Sequence, residues 1–304
     1  MTAQSVSPSA ALHFLGVGKM GLPMAGHLHA AGHAVSVSDP SAERLQLASA
    51  QGLRVATDVP QALAAAELIF SSLPNDVALL SVVADVVACA RKGCIYIDTS
   101  TVSQQASAQG AKLCAAAGIS YLRVTVSGNN KMAEAAQLTV MASGPRATYD
   151  HVLPLLQCFG PHHFYLGQAE EARLMKLVVN LMIAQTSAML AEGLTLGQKG
   201  GLQWQDMWQV LSASAVASPI LKAKSQQLSV RDYTPTFTVE QMAKDLDLIL
   251  DAGAAVHVPL AQTSLTQQLM HAAMAQGDAQ LDYAAIIRTV ERSAGLDIEE
   301  GKNV

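Results

Sequence analysis

The rhythm of apolar positions changes once along the chain. From Leu12 to about Gly167 they fall in short runs, "LHFLGVG", "AVSVSD", "LIFSSL", "CIYIDTS", "ISYLRVTVS", "LTVMASG" and "HHFYLG". Between most of these lie Ala-rich stretches with helical spacing, at 41–51, 60–66, 76–91 and 103–117. Short apolar runs alternating with amphipathic helices predict parallel βαβ units, because parallel strands need a crossover and helices cover both faces of the sheet. Beyond Gly167 no strand-like run returns, and Ala, Leu, Gln and Met recur with helical period as far as Gly295. The expected fold is an α/β, Rossmann-type doubly wound sheet over 11–169, followed by an all-α domain over 170–304. The polar residues 1–10 are expected to form a frayed tail.

The second half opens with an uninterrupted helical pattern over 170–199, roughly 45 Å long at 1.5 Å per residue. It is apolar on more than one side, whereas a surface helix needs only one apolar stripe. Burial between domains or between subunits is therefore expected, and a homodimer or homotetramer with it. Within "EARLMKLVVNLMI" two polar residues break the apolar run, Lys176 and Asn180. At i and i+4 they lie one above the other on one helix face. Taken alone, such a pair reads as a lysine whose stem lies along apolar surface beside a solvent-facing amide. Trp204 and Trp208 share the same spacing, and core packing is the expected role of that pair.

Composition narrows the possible partners. Of 304 residues, 50% are hydrophobic and 14% charged, with a formal net charge of −5 and no basic block. Nothing prepares a surface for nucleic acid or anionic lipid, and no run approaches the roughly 18 to 20 unbroken apolar residues of a membrane span. A small-molecule partner is expected. The opening "MTAQSVSPSA" lacks both the apolar core of a signal peptide and the basic helix of a presequence, which points to the cytoplasm. Cys89, Cys94, Cys114 and Cys158 show no paired spacing, so reduced, buried thiols are expected and no metal site. The adjacent His162 and His163 point different ways along the chain and are expected to be loop residues.

"FLGVGKMG" places Gly16, Gly18 and Gly21 as G-x-G-x-x-G. The spacing alone is weak, but it follows a strand-like run, opens a helical segment, and is followed by a second strand ending at Asp39. Gly16 permits a tight turn, Gly18 lets a pyrophosphate approach the backbone, and Gly21 lets helix and strand pack closely. Val17, Lys19 and Met20 complete the loop. The helix that follows turns unpaired N–H groups toward the phosphates. Asp39 can accept hydrogen bonds from ribose hydroxyls and would repel a 2′-phosphate, which favours NAD over NADP. Arg44, in the next helix, is expected to be an ordinary solvated arginine.

Taken in order, "GVGKMGLPMA", "SLPND", "IDTSTVS", "VSGNN…LTVMASG", "KLVVN" and "KDLDLIL" resemble the β-hydroxyacid dehydrogenase family, which includes 3-hydroxyisobutyrate dehydrogenase, tartronate semialdehyde reductase and, more distantly, 6-phosphogluconate dehydrogenase. The resemblance spans nearly the whole chain. It implies a Rossmann domain, a helical domain, and an active site where the two meet. It further implies that Leu73 and Pro74 edge the adenosine, Thr101 reaches the nicotinamide side, and Lys244 closes over the cofactor. Ser127 and Gly128, with Asn129 beside them, would bind the substrate carboxylate. Lys176 would be the catalytic lysine and Asn180 would hold the substrate.

The chain departs from the family pattern in "RVTVSGNN", where the usual D-x-P-V-S-G-G would place an acid at Arg123, a proline at Thr125 and glycine at Asn129. Met132 and Ala136 also stand where glycines are usual. These departures put the identity of the substrate in doubt and suggest a more polar acid. The expected reaction is reversible hydride transfer between NAD and a small 3-hydroxy acid, with Lys176 as general acid and base. A free lysine is a poor base at neutral pH, but burial and the positive nicotinamide ring both disfavour an ammonium. An imine reductase shares this architecture but usually lacks the lysine. A catalytically silent dinucleotide-binding regulatory protein is the alternative from another class.

Overall fold

A computed structural model of the chain describes residues 10–296. The expected tail over 1–9 lies outside the described residues, whereas Ala10 is buried at the foot of the first strand. The first half contains β1 (Ala11–Leu15), α1 (Gly21–Ala30), β2 (Ala34–Ser38), α2 (Ala42–Ala50), β3 (Arg54–Val55), α3 (Val59–Ala65), β4 (Leu68–Ser71) and α4 (Asp76–Cys89). It continues with β5 (Ile95–Asp98), α5 (Gln104–Ala116), β6 (Ser120–Ser127), α6 (Asn130–Glu134), β7 (Thr139–Ser143), α7 (Arg146–Leu156) and β8 (His162–Gly167). The rest is helical: α8 (Glu171–Lys199), α9 (Trp204–Ala213), α10 (Pro219–Leu228), α11 (Val239–Ala255), α12 (Ala261–Ala275) and α13 (Ile286–Ser293). The chain divides into two compact units, 1–176 and 177–304, so the division falls inside α8.

The first unit is built on one sheet with strand order β3-β2-β1-β4-β5-β6-β7-β8. The strands from β3 to β6 pair in parallel, β7 runs antiparallel to β6, and β8 is parallel to β7. β4 is buried at every position, as a central strand covered by helices on both faces must be. Phe14 and Phe70 stack across neighbouring strands with ring centroids 5.7 Å apart, and Phe159 meets Phe70 edge-on at 6.1 Å. The helices begin where side chains can occupy their orphan N–H groups: Ser41, Asp58, Asn75 and Ser103 each accept from the backbone three residues on. The chain order reverses around β1, which has β2 on one side and β4 on the other. In open α/β sheets, ligands bind outside the carboxyl ends of the strands at this switch point.

Some expectations are corrected here. His162 and His163 lie in strand β8, where His163 Nε2 contacts the Leu156 carbonyl at 3.0 Å, and not in a loop. Cys94 and Cys114 are buried, and burial raises their thiols to about 12 and about 11, whereas Cys89 and Cys158 are only half-buried.

The second unit packs its helices around Trp208, Leu246, Ile249, Met270 and Ile286. Trp204 and Trp208 meet edge-on at 5.8 Å, and the Trp204 indole donates to the Leu228 carbonyl at 3.1 Å. α11 starts on a capping box: Thr238 Oγ1 accepts from Gln241 N, and Gln241 Oε1 accepts from Thr238 N. α8 is only partly covered. Within the single chain, Leu174, Met175, Val178, Met182, Met189 and Leu196 are exposed.

Candidate active site

The carboxyl ends of β1, β2, β4, β5 and β6 deliver most of the expected site residues to one edge of the sheet. Gly16 follows β1 with φ +86°, and a Cβ there would stand 2.4 Å from the Ser72 carbonyl oxygen. At Gly21 a Cβ would stand 2.0 Å from the Gly16 carbonyl oxygen, so the strand-to-helix turn closes only with glycine. Gly18 differs, because a Cβ there would meet nothing within 4 Å. The open space beside Gly18 is what a pyrophosphate needs.

The start of α1 fits an anion as well. Its N-cap residue Met20 provides no side-chain hydrogen bond, and its first turn holds no acidic residue. Those N–H groups carry the positive end of the helix dipole. Asp39 braces the loop: Oδ2 accepts from Val17 N at 2.8 Å and Oδ1 from Ser41 N at 2.8 Å. Arg44 is not simply solvated, since its Nε donates to the Val17 carbonyl at 2.8 Å. Lys19 is exposed.

Beyond β4 and β5 the loops are tied to each other. Leu73 N donates to Ser100 Oγ at 2.8 Å, and Ser100 Oγ donates to Asp98 Oδ1 at 2.6 Å. Thr101 follows directly and is half-buried, whereas Pro74 is exposed. At the end of β6, Ser127 is half-buried and Gly128 has φ +141°, with a would-be Cβ 2.6 Å from Leu138. Asn129 is half-buried, and its Oδ1 accepts from Met132 N at 3.0 Å and caps α6.

Lys176 lies two residues beyond Leu174 on α8 and is half-buried. In the helical unit, buried Asn180 donates through Nδ2 to Asp245 Oδ2 at 2.5 Å. Lys244 Nζ stands 2.9 Å from the other oxygen of Asp245. Asp245 thus joins Asn180 and Lys244, a role that neighbouring sequence positions alone did not reveal. Its only sign was its place in "KDLDLIL". Among the described residues, no group of three or more His, Cys, Asp or Glu side chains is placed to hold a metal.

Residues 11–167 match the NAD binding domain of 6-phosphogluconate dehydrogenase, and residues 171–290 match the NAD-binding region of NADP-dependent 3-hydroxyisobutyrate dehydrogenase. The chain is 31% identical over 293 residues to a 2-(hydroxymethyl)glutarate dehydrogenase of Eubacterium barkeri, covering 95% of this chain and 97% of that protein. A structure of 3-hydroxyisobutyrate dehydrogenase from Mycobacterium tuberculosis with L-serine superposes with TM-score 0.85 at 29% identity, over 93% of this chain and 99% of that one. An imine reductase from Pseudomonas sp. shares the fold more loosely, with TM-score 0.62 at 21% identity over 92% of this chain and 99% of that one. The chain belongs to the β-hydroxyacid dehydrogenase family and carries an NAD(P)-binding Rossmann domain.

Proposed function

We propose that the protein is a dehydrogenase that interconverts a small 3-hydroxy acid and its semialdehyde or keto form, with Lys176 as general acid and base. The observation that carries this reading is the polar line on α8. Lys176 stands one turn before Asn180, whose amide orientation is fixed by buried Asp245. A snorkelling lysine needs no such neighbour. Ser127 and Gly128 hold the substrate carboxylate, and Asn180 orients the oxygen at the reacting carbon. Lys176 removes the hydroxyl proton during oxidation and returns it during reduction.

Gly16, Val17, Gly18, Lys19, Met20 and Gly21 hold the dinucleotide phosphates, with Asp39 on the ribose. Leu73, Pro74, Thr101 and Lys244 hold the remainder of the cofactor. When bound, the dinucleotide supplies the hydride acceptor. NAD is preferred over NADP by about tenfold, or about 1.4 kcal/mol, because the Asp39 carboxylate repels a 2′-phosphate. Asn129 Oδ1 caps α6, so Asn129 would meet the substrate through its amide Nδ2, beside Ser127 and Gly128.

Lys176 also separates this reading from C=N reduction and from silent dinucleotide binding. The test follows NAD reduction over three- to six-carbon hydroxy acids, and NADH oxidation with carbonyl acids and with carbonyl–amine mixtures. Lys176→Met keeps the stem but removes the amine. It should stay folded and bind NAD while turnover falls about 10² to 10⁴-fold. A folded Lys176→Met protein that keeps most of its activity would end the lysine mechanism, and turnover confined to carbonyl–amine mixtures would end the hydroxy-acid assignment.

A further inference from the structure

Where α8 begins, two ion pairs stand against the carboxyl edge of the sheet, one of them fully buried. Arg173, three residues before Lys176, is enclosed completely, as is its partner Asp98. Its Nη2 donates to Asp98 Oδ2 and, at 3.1 Å, to the Tyr121 hydroxyl. Nη1 donates to the Ser100 carbonyl at 2.5 Å, and Nε to Ser107 Oγ at 3.1 Å. Burial opposes the guanidinium charge, but Asp98, Tyr121 and Glu170 outweigh it and hold Arg173 charged. Arg123 of β6 places Nε 2.8 Å from Glu170 Oε1 and adds Nη2 to the same oxygen. Thr125 Oγ1 donates to the Ala172 carbonyl at 3.0 Å, while Ala172 N donates to Ser143 Oγ at 3.1 Å.

Arg123 and Thr125 are two of the positions where the sequence departs from the family pattern, and both hold the start of α8. A buried pair is a costly way to anchor a helix, since apolar side chains of similar volume stabilise equally well or better. What a guanidinium adds is direction. Its planar fork presents donors to Asp98, Ser100, Ser107 and Tyr121 at once, fixing both rotation about the helix axis and translation along it. Asp98 Oδ1 in turn receives Ser71 Oγ at 2.5 Å and Ser100 Oγ, and Ser100 holds Leu73. One side chain therefore spans the loops proposed to edge the cofactor and the helical turn that carries Lys176.

We infer that Arg173 is a positioning residue for Lys176: it fixes the first turn of α8 against the loops after β4 and β5, and so sets where the lysine amine stands. Lys176 follows at i+3, roughly 4.5 Å further along the axis. The inference rests on Lys176 as proton carrier. A misplacement of about 1 Å can cost on the order of 10²-fold in rate without loss of binding.

The test is a double-mutant cycle on the full chain with NAD and the best substrate of the panel. Arg173→Lys keeps the charge and loses the fork. It should stay folded, keep NAD affinity and KM within about threefold, and lose at least about 30-fold in kcat. In the Lys176→Met background, the same substitution should change the residual rate by less than about threefold, because the group it positions is gone. Equal losses in both backgrounds, or full activity of Arg173→Lys, would overturn the positioning role. An active Lys176→Met protein would instead overturn the lysine reading itself. If Arg173→Lys does not fold, Tyr121→Phe and Ser107→Ala each remove one partner of the fork. Each should then lower kcat about three- to tenfold only while Lys176 is present, and no loss in either would end the proposal.

Discussion

At the scale of single residues, burial decides what a side chain can do. His13 sits in a run that reads as a plain apolar strand, "LHFLGVG", yet it is fully enclosed. Its Nδ1 stands 2.9 Å from Ser36 Oγ and its Nε2 3.1 Å from Ser38 Oγ. Burial, and then the charge of Arg54, lower its pKa from 6.5 to about 4. The folded protein therefore holds His13 neutral where the unfolded chain takes up a proton. The stability this contributes is complete above about pH 6.5 and is lost as pH falls toward about 4, on the order of 3 kcal/mol from this group. Urea unfolding at pH 7 and pH 4.5 measures it. His13→Gln keeps two polar contacts without a titrating proton, so it should lose less stability between these pH values than the unmodified protein. An equal loss in both would place the acid sensitivity elsewhere. Nothing in the sequence marks this histidine, because its partners lie more than 20 residues away. Arg173 was hidden for a related reason: a charged residue in the first turn of a long helix reads as solvated until Asp98, 75 positions earlier, is folded against it.

At the scale of elements, period and length decided what was legible. The sheet was readable because its central strands are buried runs bounded by turn residues. β3, with two residues, and α6, with five, are too short to show a period. α6 also shows what a non-glycine residue meets in the segment after β6. It ends with Gln137 N on the Met132 carbonyl at 2.8 Å and Ala136 N on the Ala133 carbonyl at 3.2 Å, a Schellman closure in which Ala136 takes φ +52°. At Ala136 the backbone shows a helix C-terminus held in a conformation that favours glycine. Relief of that strain outweighs the extra freedom of glycine in the unfolded chain. Ala136→Gly should therefore raise unfolding stability by about 0.5–1 kcal/mol with unchanged substrate preference. Chemical denaturation reads the first part and kcat/KM over the acid panel the second. A loss of stability would show that the left-handed turn carries no strain.

At the scale of the whole molecule, fold class and family were legible because they rest on patterns repeated along the chain. What covers α8 was not, because one apolar helix can be covered in several ways. Met175, Met182, Met189 and Leu196 recur every seven residues with Val178 between the first two, and all five are exposed. By length and composition the helix could also cross a membrane. Against that reading, its first turn buries Arg173 in an ion pair with the sheet, and Asn180 is tied to buried Asp245. A heptad stripe is what a second helix packs into, and flexible methionines accommodate imperfect facing surfaces. The expected covering is a second copy of the chain, giving a homodimer or homotetramer. Light scattering after size exclusion should then report at least twice the mass of the chain, and Met182→Glu with Met189→Lys should shift it toward one copy by placing desolvated charge in the seam. A monomer in the unmodified protein that sediments with liposomes would remove self-association and support the membrane. A monomer that does neither would leave the stripe as ordinary exposed apolar surface, which soluble proteins tolerate when the residues are scattered.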